Sequence, residues 1–287
     1  MTKNKIKIGF LHNTIRLDEK LLMNVADKYG VVLDAIDIRE EILDPFHYVS
    51  QYDAVLQRSL SAVKGMHAIE FFESIGVPVV NTLSVARICE NKFLTSLKLL
   101  ENHVPTVPFL MVFGEKEAKR AVELLGGFPV VLKPVSGSWG RLVSRINDTD
   151  ALEGLIEQKM VLGGPHQQAL YFQKYIDKPG RDIRIVVIGK QVIAAMYRKS
   201  DHWITNTARG AQAYSCTVDT GLSEIALKTA NAVGEGILGI DIFETPDGYL
   251  VNEVNHTMEF KNVQRVTGID VAGEIIQYCM KVAQNEK

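Results

Sequence analysis

From Ile6 to Asn81 the chain alternates short β-branched runs with helically spaced apolar residues, and that alternation leaves few architectures open. Ile6-Lys7-Ile8-Gly9-Phe10-Leu11 reads as a first strand. Leu21, Leu22 and Val25 then fall on one face of a helix over Leu17 to Lys28, stopped by Gly30. Val31 to Ile38 and Ala54 to Leu56 read as further strands, Met66 to Ser74 as a helix ended by Gly76, and Val77 to Asn81 as the next strand. Strand–helix–strand order of this kind builds a parallel sheet covered by helices. No G-x-G-x-x-G follows the first strand, so this lobe lacks the usual dinucleotide loop.

The pattern changes at Ser84. One helix is expected over Ser84 to His103, carrying Lys92 and ending before Val104-Pro105. Strands follow at Phe109 to Val112, Val130 to Lys133 and Leu170 to Tyr175. Ile183 to Ile188 and Gln191 to Tyr197 form a hairpin around Gly189-Lys190. Ser223 to Val233 is helical, Gly239 to Glu244 pairs with Tyr249 to Asn255, and Gly273 to Gln284 is an amphipathic helix. A chain of 287 residues suits two or three packed lobes better than one core, and the expected cuts give 1–88, 89–177 and 178–287. The formal net charge of -2 gives no electrostatic reason to expect nucleic acid or anionic membrane as a partner. Cys89, Cys216 and Cys279 form no CxxC pair, which points to reduced, gap-filling thiols and a cytoplasmic protein. The apolar run from Ile6 to Leu11 is too short for a signal peptide or a membrane span.

Chemistry concentrates in three places. Val130-Val131-Leu132-Lys133-Pro134 puts a lysine at the end of an apolar strand, and Ser136-Gly137-Ser138-Trp139-Gly140-Arg141 follows. Backbone amides of such a loop can turn towards phosphate oxygens, although a surface turn would read the same alone. Period-2 geometry puts Glu253 and Asn255 on one strand face, with Asp241 on the partner strand able to point there too. Two carboxylates and an amide oxygen form a hard set that suits Mg²⁺, whereas a solvated hairpin face would need no flanking apolar residues. The third place is the basic, amide-rich run from Arg198 to Arg209, preceded by Asp182 and Arg184 and interrupted by Trp203. Arginines suit anionic groups, and the large aromatic argues against a mobile loop. His202 and His256 lack the third ligand that zinc requires.

In this order along the chain, these features resemble the ATP-grasp superfamily. That likeness implies an α/β fold with α+β lobes: an ATP-grasp pair behind an N-terminal pre-ATP-grasp parallel-sheet domain. It implies an ATP- and Mg²⁺-dependent ligase, with two ions. Lys92 and Lys133 look like its nucleotide lysines, Ser136, Gly137, Ser138, Trp139, Gly140 and Arg141 like its phosphate loop, and Gln173, Lys174, Tyr175 and Ile176 like the adenine segment. Asp241, Glu253 and Asn255 match its metal set. More narrowly, Gly137 to Arg141, Lys178 to Arg184, His202 to Gly210 and Asn252 to Asn262 are similar to the α-aminoadipate–LysW ligase (LysX) family, related to RimK. The resemblance implies that ATP activates the side-chain carboxylate of the C-terminal glutamate of LysW, a small acidic carrier protein, for attack by α-aminoadipate. It assigns Lys133, Arg198 and Arg209 to catalysis, and Asp182 and Asn206 to the nucleotide. Arg198, Thr207, Ala208, His256, Thr257, Glu259, Phe260 and Asn262 fall to the substrates. Glutamate is the alternative donor, as in ArgX or a bifunctional enzyme, and a RimK-type glutamate ligase is a further one. A nucleotide-binding module without turnover would be expected to lose one of the metal acids, and all are present. Asn262-Val263 stands where glutamate-directed relatives tend to carry Gly-Phe, and relatives suggest a homodimer or homotetramer.

Overall fold

The alternating N-terminal run forms a four-stranded, wholly parallel sheet with the second strand of the chain at one edge, the first and third inside and the fourth at the other edge. Its elements are β1 (Ile6–His12), α1 (Leu17–Ala26), β2 (Val31–Asp37), α2 (Pro45–Tyr48), β3 (Ala54–Gln57), α3 (Ala62–Ser74) and β4 (Val79–Val80). The structure is a computed structural model and describes residues 5–284 apart from Ser138. The fourth strand is shorter than its apolar run predicts. Pro78 has no N–H to give, and Asn81 leaves the sheet to bond the backbone of Ile237 and the carbonyl of His256.

The single helix expected over Ser84 to His103 is two helices, α4 (Leu83–Glu90) and α5 (Lys92–Glu101). Asn91 is extended (φ -107, ψ 107), and its Oδ1 accepts from the amides of Phe93 and Leu94, both at 3.0 Å. Such a cap stabilises a helix start by about 1 kcal/mol, so the chain gains by breaking here. The break makes Lys92 the first residue of α5. Both helices pack on the C-terminal sheet, where Val85, Cys89 and Leu99 join Ile183, Ile240 and Val251 in one core.

The central lobe contains β5 (Phe109–Val112), α6 (Glu115–Leu124), β6 (Val130–Lys133), β7 (Ser144–Ile146), α7 (Thr149–Leu162) and β8 (Leu170–Lys174). Its antiparallel sheet runs β5-β8-β6-β7. Ala118 and Val122 of α6 and Leu152 and Ile156 of α7 cover Val130, Leu132 and Phe172.

The rest comprises β9 (Arg181–Ile188), β10 (Gln191–Lys199), β11 (Gln212–Cys216), α8 (Thr220–Val233), β12 (Ile237–Thr245), β13 (Gly248–Asn255), α9 (Lys261–Thr267) and α10 (Val271–Ala283). This sheet is antiparallel in the order β11-β10-β9-β12-β13. The expected hairpin is present, with Gly189 at φ 57. Strand β10 extends through Arg198, which is therefore ladder-bound rather than part of the loop after it. Helix α10 packs back onto the parallel sheet, burying Ile275, Ile276 and Cys279 among Ile8, Phe10 and Leu22. No described helix is long and apolar enough to cross a membrane.

Candidate active site

Two adjoining chambers open where the three sheets meet, and Lys92, Gly137, Asn206 and Glu253 line both. One lies between the central and C-terminal sheets. Its walls include Val131, Phe243, Trp203 and the segment from Gln173 to Ile176. Tyr175 and Trp203 have ring centroids 6.2 Å apart, and the Arg145 guanidinium lies over both. An aromatic and apolar slot beside exposed backbone of a strand end suits a flat heterocycle.

The polar end of this chamber is strongly cationic. Lys133 leaves the last position of β6 and donates to Asn252 Oδ1 at 2.7 Å. Lys92 donates its backbone N–H to Val135 O at 2.9 Å, and its Nζ bonds Gly137 O and lies 3.4 Å from Glu253. One residue thus pins the start of the glycine loop at two points. Lys178 donates to Thr205 at 2.8 Å and lies 3.8 Å from Asp182. Burial pushes the Lys133 ammonium down to about 8, against the pull of Glu253 and with the push of Lys92 and Lys178. Burial likewise lowers Lys178, which Asp182 only partly offsets. Crowded, dehydrated ammonium groups of this kind gain most from a polyanion such as a triphosphate.

The second chamber lies between the C-terminal sheet and the parallel-sheet domain. Asp241 and Glu253 are direct partners across β12 and β13, and a bulge at Asn252 follows immediately. Asn255 lies further along β13, and all three oxygen donors line this chamber. Asp241 takes both a bidentate contact from Arg184 and a 3.0 Å contact from Arg198 Nη2. Burial alone would raise the Asp241 carboxyl; the two guanidiniums overcome it and hold the group below the usual carboxylate range. Arg198 also grips Asp182 through Nε at 2.7 Å and Nη2 at 2.8 Å. The donor set is all oxygen and gathered on one wall, which suits a hard cation, and Asp241 would have to turn from Arg184 and Arg198 to bind it. With only two carboxylates in it, the remaining ligands would be phosphate oxygens and water.

The loop after β13 is shaped from the parallel-sheet domain. Asn81 bonds His256 O at 2.7 Å, Gln57 accepts from Thr257 at 3.1 Å, and Arg58 donates to Met258 O at 2.9 Å. Asp18 Oδ1 accepts from the amides of Phe260 and Lys261 at 2.6 and 2.9 Å. The backbone of the loop after β13 is therefore pre-organised by another lobe.

Most residues singled out in the sequence line one chamber or the other. Gly140, Arg141, Gln173, Lys174, Tyr175, Ile176 and Asp182 line the first, while Trp139, Arg198, Thr207, Ala208, His256, Thr257, Glu259 and Asn262 line the second. Three behave differently. Ser136 is exposed and lines neither chamber. Arg209 reaches over the glycine loop to Gly140 O at 2.9 Å, a clamp on the loop rather than a wall of a chamber. Phe260 is fully buried in the core shared with the parallel sheet, because its amide is drawn to Asp18. Ser138 lies outside the described residues. Arg184, singled out with Asp182 in the sequence, also lines the second chamber, and Arg16, Lys178 and Asn252 line the chambers without having been assigned a role there. Asp182 and Arg184 share a strand face at period 2, which was a readable signal; nothing local marks Arg16 or Asn252.

Residues 89–279 match the RimK-like ATP-grasp domain, and residues 8–88 match the LysX pre-ATP-grasp domain. This chain belongs to the RimK-like ATP-grasp family. It is an ATP-dependent ligase that forms C–N bonds, and ATP-grasp ligases use ATP with Mg²⁺. The α-aminoadipate–LysW ligase LysX of Saccharolobus solfataricus is 36% identical over 266 residues, covering 91% of this chain and 96% of its own. The glutamate–LysW ligase ArgX of Sulfolobus acidocaldarius is 32% identical over 276 residues, covering 95% of this chain and 98% of its own. A RimK-domain ATP-grasp protein from Sphaerobacter thermophilus superposes with a TM-score of 0.82 at 25% identity, covering 96% of this chain and 99% of that one. That protein therefore shares the fold that carries the three sheets.

Proposed function

We propose that this ATP-grasp ligase phosphorylates the side-chain carboxylate of the glutamate that ends a LysW-type carrier protein and joins it to the amino group of α-aminoadipate. The observation that carries this reading is the continuity of the two chambers through Lys92, Gly137, Asn206 and Glu253. A triphosphate held by Lys92 and Lys133 would end where the second chamber begins, beside Asp241, Glu253 and Asn255. The names of the relatives supply the chemical identities of carrier and donor.

A carboxylate resists amines because its oxygen is a poor leaving group, and transfer of a phosphoryl group makes it a good one. The amine then attacks the carbonyl carbon, inorganic phosphate departs, and the attacking nitrogen loses a proton. Lys92 and Lys133 would hold the phosphates and offset developing charge, and the loop pinned by Lys92 and Arg209 would exclude water. Asp241, Glu253 and Asn255 would hold Mg²⁺, two ions on the family pattern; when bound, the metal neutralises phosphate charge and aligns the transfer. Arg198 would orient the acyl phosphate, and His256 to Asn262 would face the donor. The cytoplasm, a homodimer or homotetramer, and partners other than membrane or nucleic acid complete the reading.

Intact-mass measurement of LysW after incubation with enzyme, ATP and Mg²⁺ tests it directly. Extension by α-aminoadipate is expected; no extension by any amino acid would sink the assignment. Glutamate is the second reading, favoured by the similarity to ArgX. One methylene is worth only about 1–3 kcal/mol in a pocket, so a competition between the two donors decides it.

A further inference from the structure

Every other guanidinium in the second chamber is committed at the reacting end: Arg184 to Asp241, and Arg198 to Asp182 and Asp241. Arg16 is different. It comes from the loop after β1, at the carboxyl edge of the parallel sheet, where open α/β sheets take their ligands. Like Arg184 and Arg198 it lines the second chamber alone, but it bonds Glu19 and Glu259 rather than Asp182 or Asp241.

Its fork is held rigidly. Nε and Nη2 donate to Glu19 at 3.0 and 2.9 Å, and Nη1 donates to Glu259 at 2.7 Å. Glu19 is also gripped by Arg58 at 2.9 Å, and it is fully buried. Arg16, Arg58 and Glu19 together therefore carry one net positive charge. The fourth member, Glu259, balances it and is the most exposed of the four, with 28% of its side chain accessible. A half-buried cationic fork whose counterion comes from the chamber wall is arranged for exchange of that counterion. Desolvating a substrate carboxylate without a partner would be costly, and a guanidinium fork is its natural partner.

Resting on the functional reading above, we propose that Arg16 takes the distal carboxylate of the amino-acid donor, exchanging Glu259 for it as the donor enters. The donor's amine must face the end shared with the nucleotide chamber, which leaves its far carboxylate for the parallel-sheet wall. Arg16 is thus a specificity residue supplied by the domain that holds no nucleotide.

The test compares α-aminoadipate with 2-aminohexanoate, which has the same chain and no distal carboxylate. Arg16→Met should raise the KM for α-aminoadipate about 10- to 100-fold, with the KM for ATP unchanged. The loss of kcat/KM should be at least about tenfold smaller for 2-aminohexanoate than for α-aminoadipate, a difference that fold damage would not produce. Glu259→Gln should lower the KM for α-aminoadipate by removing the competing charge. An unchanged KM for α-aminoadipate in Arg16→Met, or an equal loss for both donors, overturns the assignment of Arg16 alone. Wild-type enzyme that extends no carrier with α-aminoadipate overturns the functional reading, and this assignment with it.

Discussion

Lys133, at the end of a central-lobe strand, donates 2.7 Å across the cleft to Asn252, the bulged residue of the C-terminal sheet. The bulge turns Asn252 towards the central lobe while its neighbour Glu253 stays opposite Asp241. One extra residue in one strand therefore ties the two lobes and leaves the acids paired. Asn252→Ala should raise the KM for ATP, since the Lys133 ammonium loses its acceptor at a cost of about 1–3 kcal/mol. Steady-state kinetics with varied ATP would show this, and an unchanged KM would mean the contact is incidental.

Glu253→Ala should abolish ligation, lowering kcat by at least about 100-fold, while the melting temperature stays near wild type. ADP release and a thermal melt measured on the same preparation check both parts. Near-normal turnover would remove Glu253 from the metal set.

Arg198 and Asp182 are both buried, and removing one partner of such a pair costs about 3–5 kcal/mol. Arg198→Met should therefore unfold at markedly lower denaturant concentration. Arg198→Lys should recover little of this, because an ammonium cannot bridge Asp182 and Asp241 as the planar fork does. Chemical denaturation of the two variants separates charge from geometry.

Glu19 supplies a pH dependence. Burial would raise its carboxyl, yet Arg16 and Arg58 outweigh burial and hold it below the ordinary 4.5. A depressed folded-state value means that its stabilisation is fully present above 4.5 and is lost as pH falls through the folded value. The stability gap between wild type and Glu19→Gln should be constant near neutrality and shrink in acid below that point. Melting curves across the acid range measure it; a gap that widens in acid contradicts the sign.

Asp18 Oδ1 accepts from the amides of Phe260 and Lys261 in the loop after β13, and its Oδ2 lies 4.0 Å from the Lys261 ammonium. Asp18→Asn keeps an acceptor and should retain most activity, whereas Asp18→Ala should raise the donor KM more than the ATP KM. Equal changes in the two constants would reduce Asp18 to a stability role.

The parallel-sheet lobe was legible because its strands and helices carry strong periodic patterns, from Ile6-Lys7-Ile8 to the run around Leu21, Leu22 and Val25. Helices α6 and α7 were not. The buried face of α7 is only Leu152 and Ile156, too faint a stripe to read, and the buried residues of α6 are the small Ala118, Ala121 and Val122, which carry little hydrophobic weight beside its charged face. The break at Asn91 hides in an otherwise helical run, since the cap competes with continuation only by a hydrogen-bond's worth of energy. Lys133, Asp241 and Glu253 could be singled out because a cation or acid on an apolar strand needs a reason, Asn255 because it shares the strand face of Glu253, and Lys92 through the resemblance to the ATP-grasp order. Arg16 and Asn252 gave no such sign. Their place in the site comes from a tertiary approach and a bulge, which spacing along the chain does not encode.

Helix α10 completes the core beneath β1 and α1 although it lies more than two hundred residues downstream. During synthesis on the ribosome, the first lobe to emerge must wait with one greasy face uncovered until the rest of the polypeptide has been made. Premature termination before Val271 would thus strand an aggregation-prone fragment rather than a usable smaller unit. The two extremities of the molecule mature together or not at all.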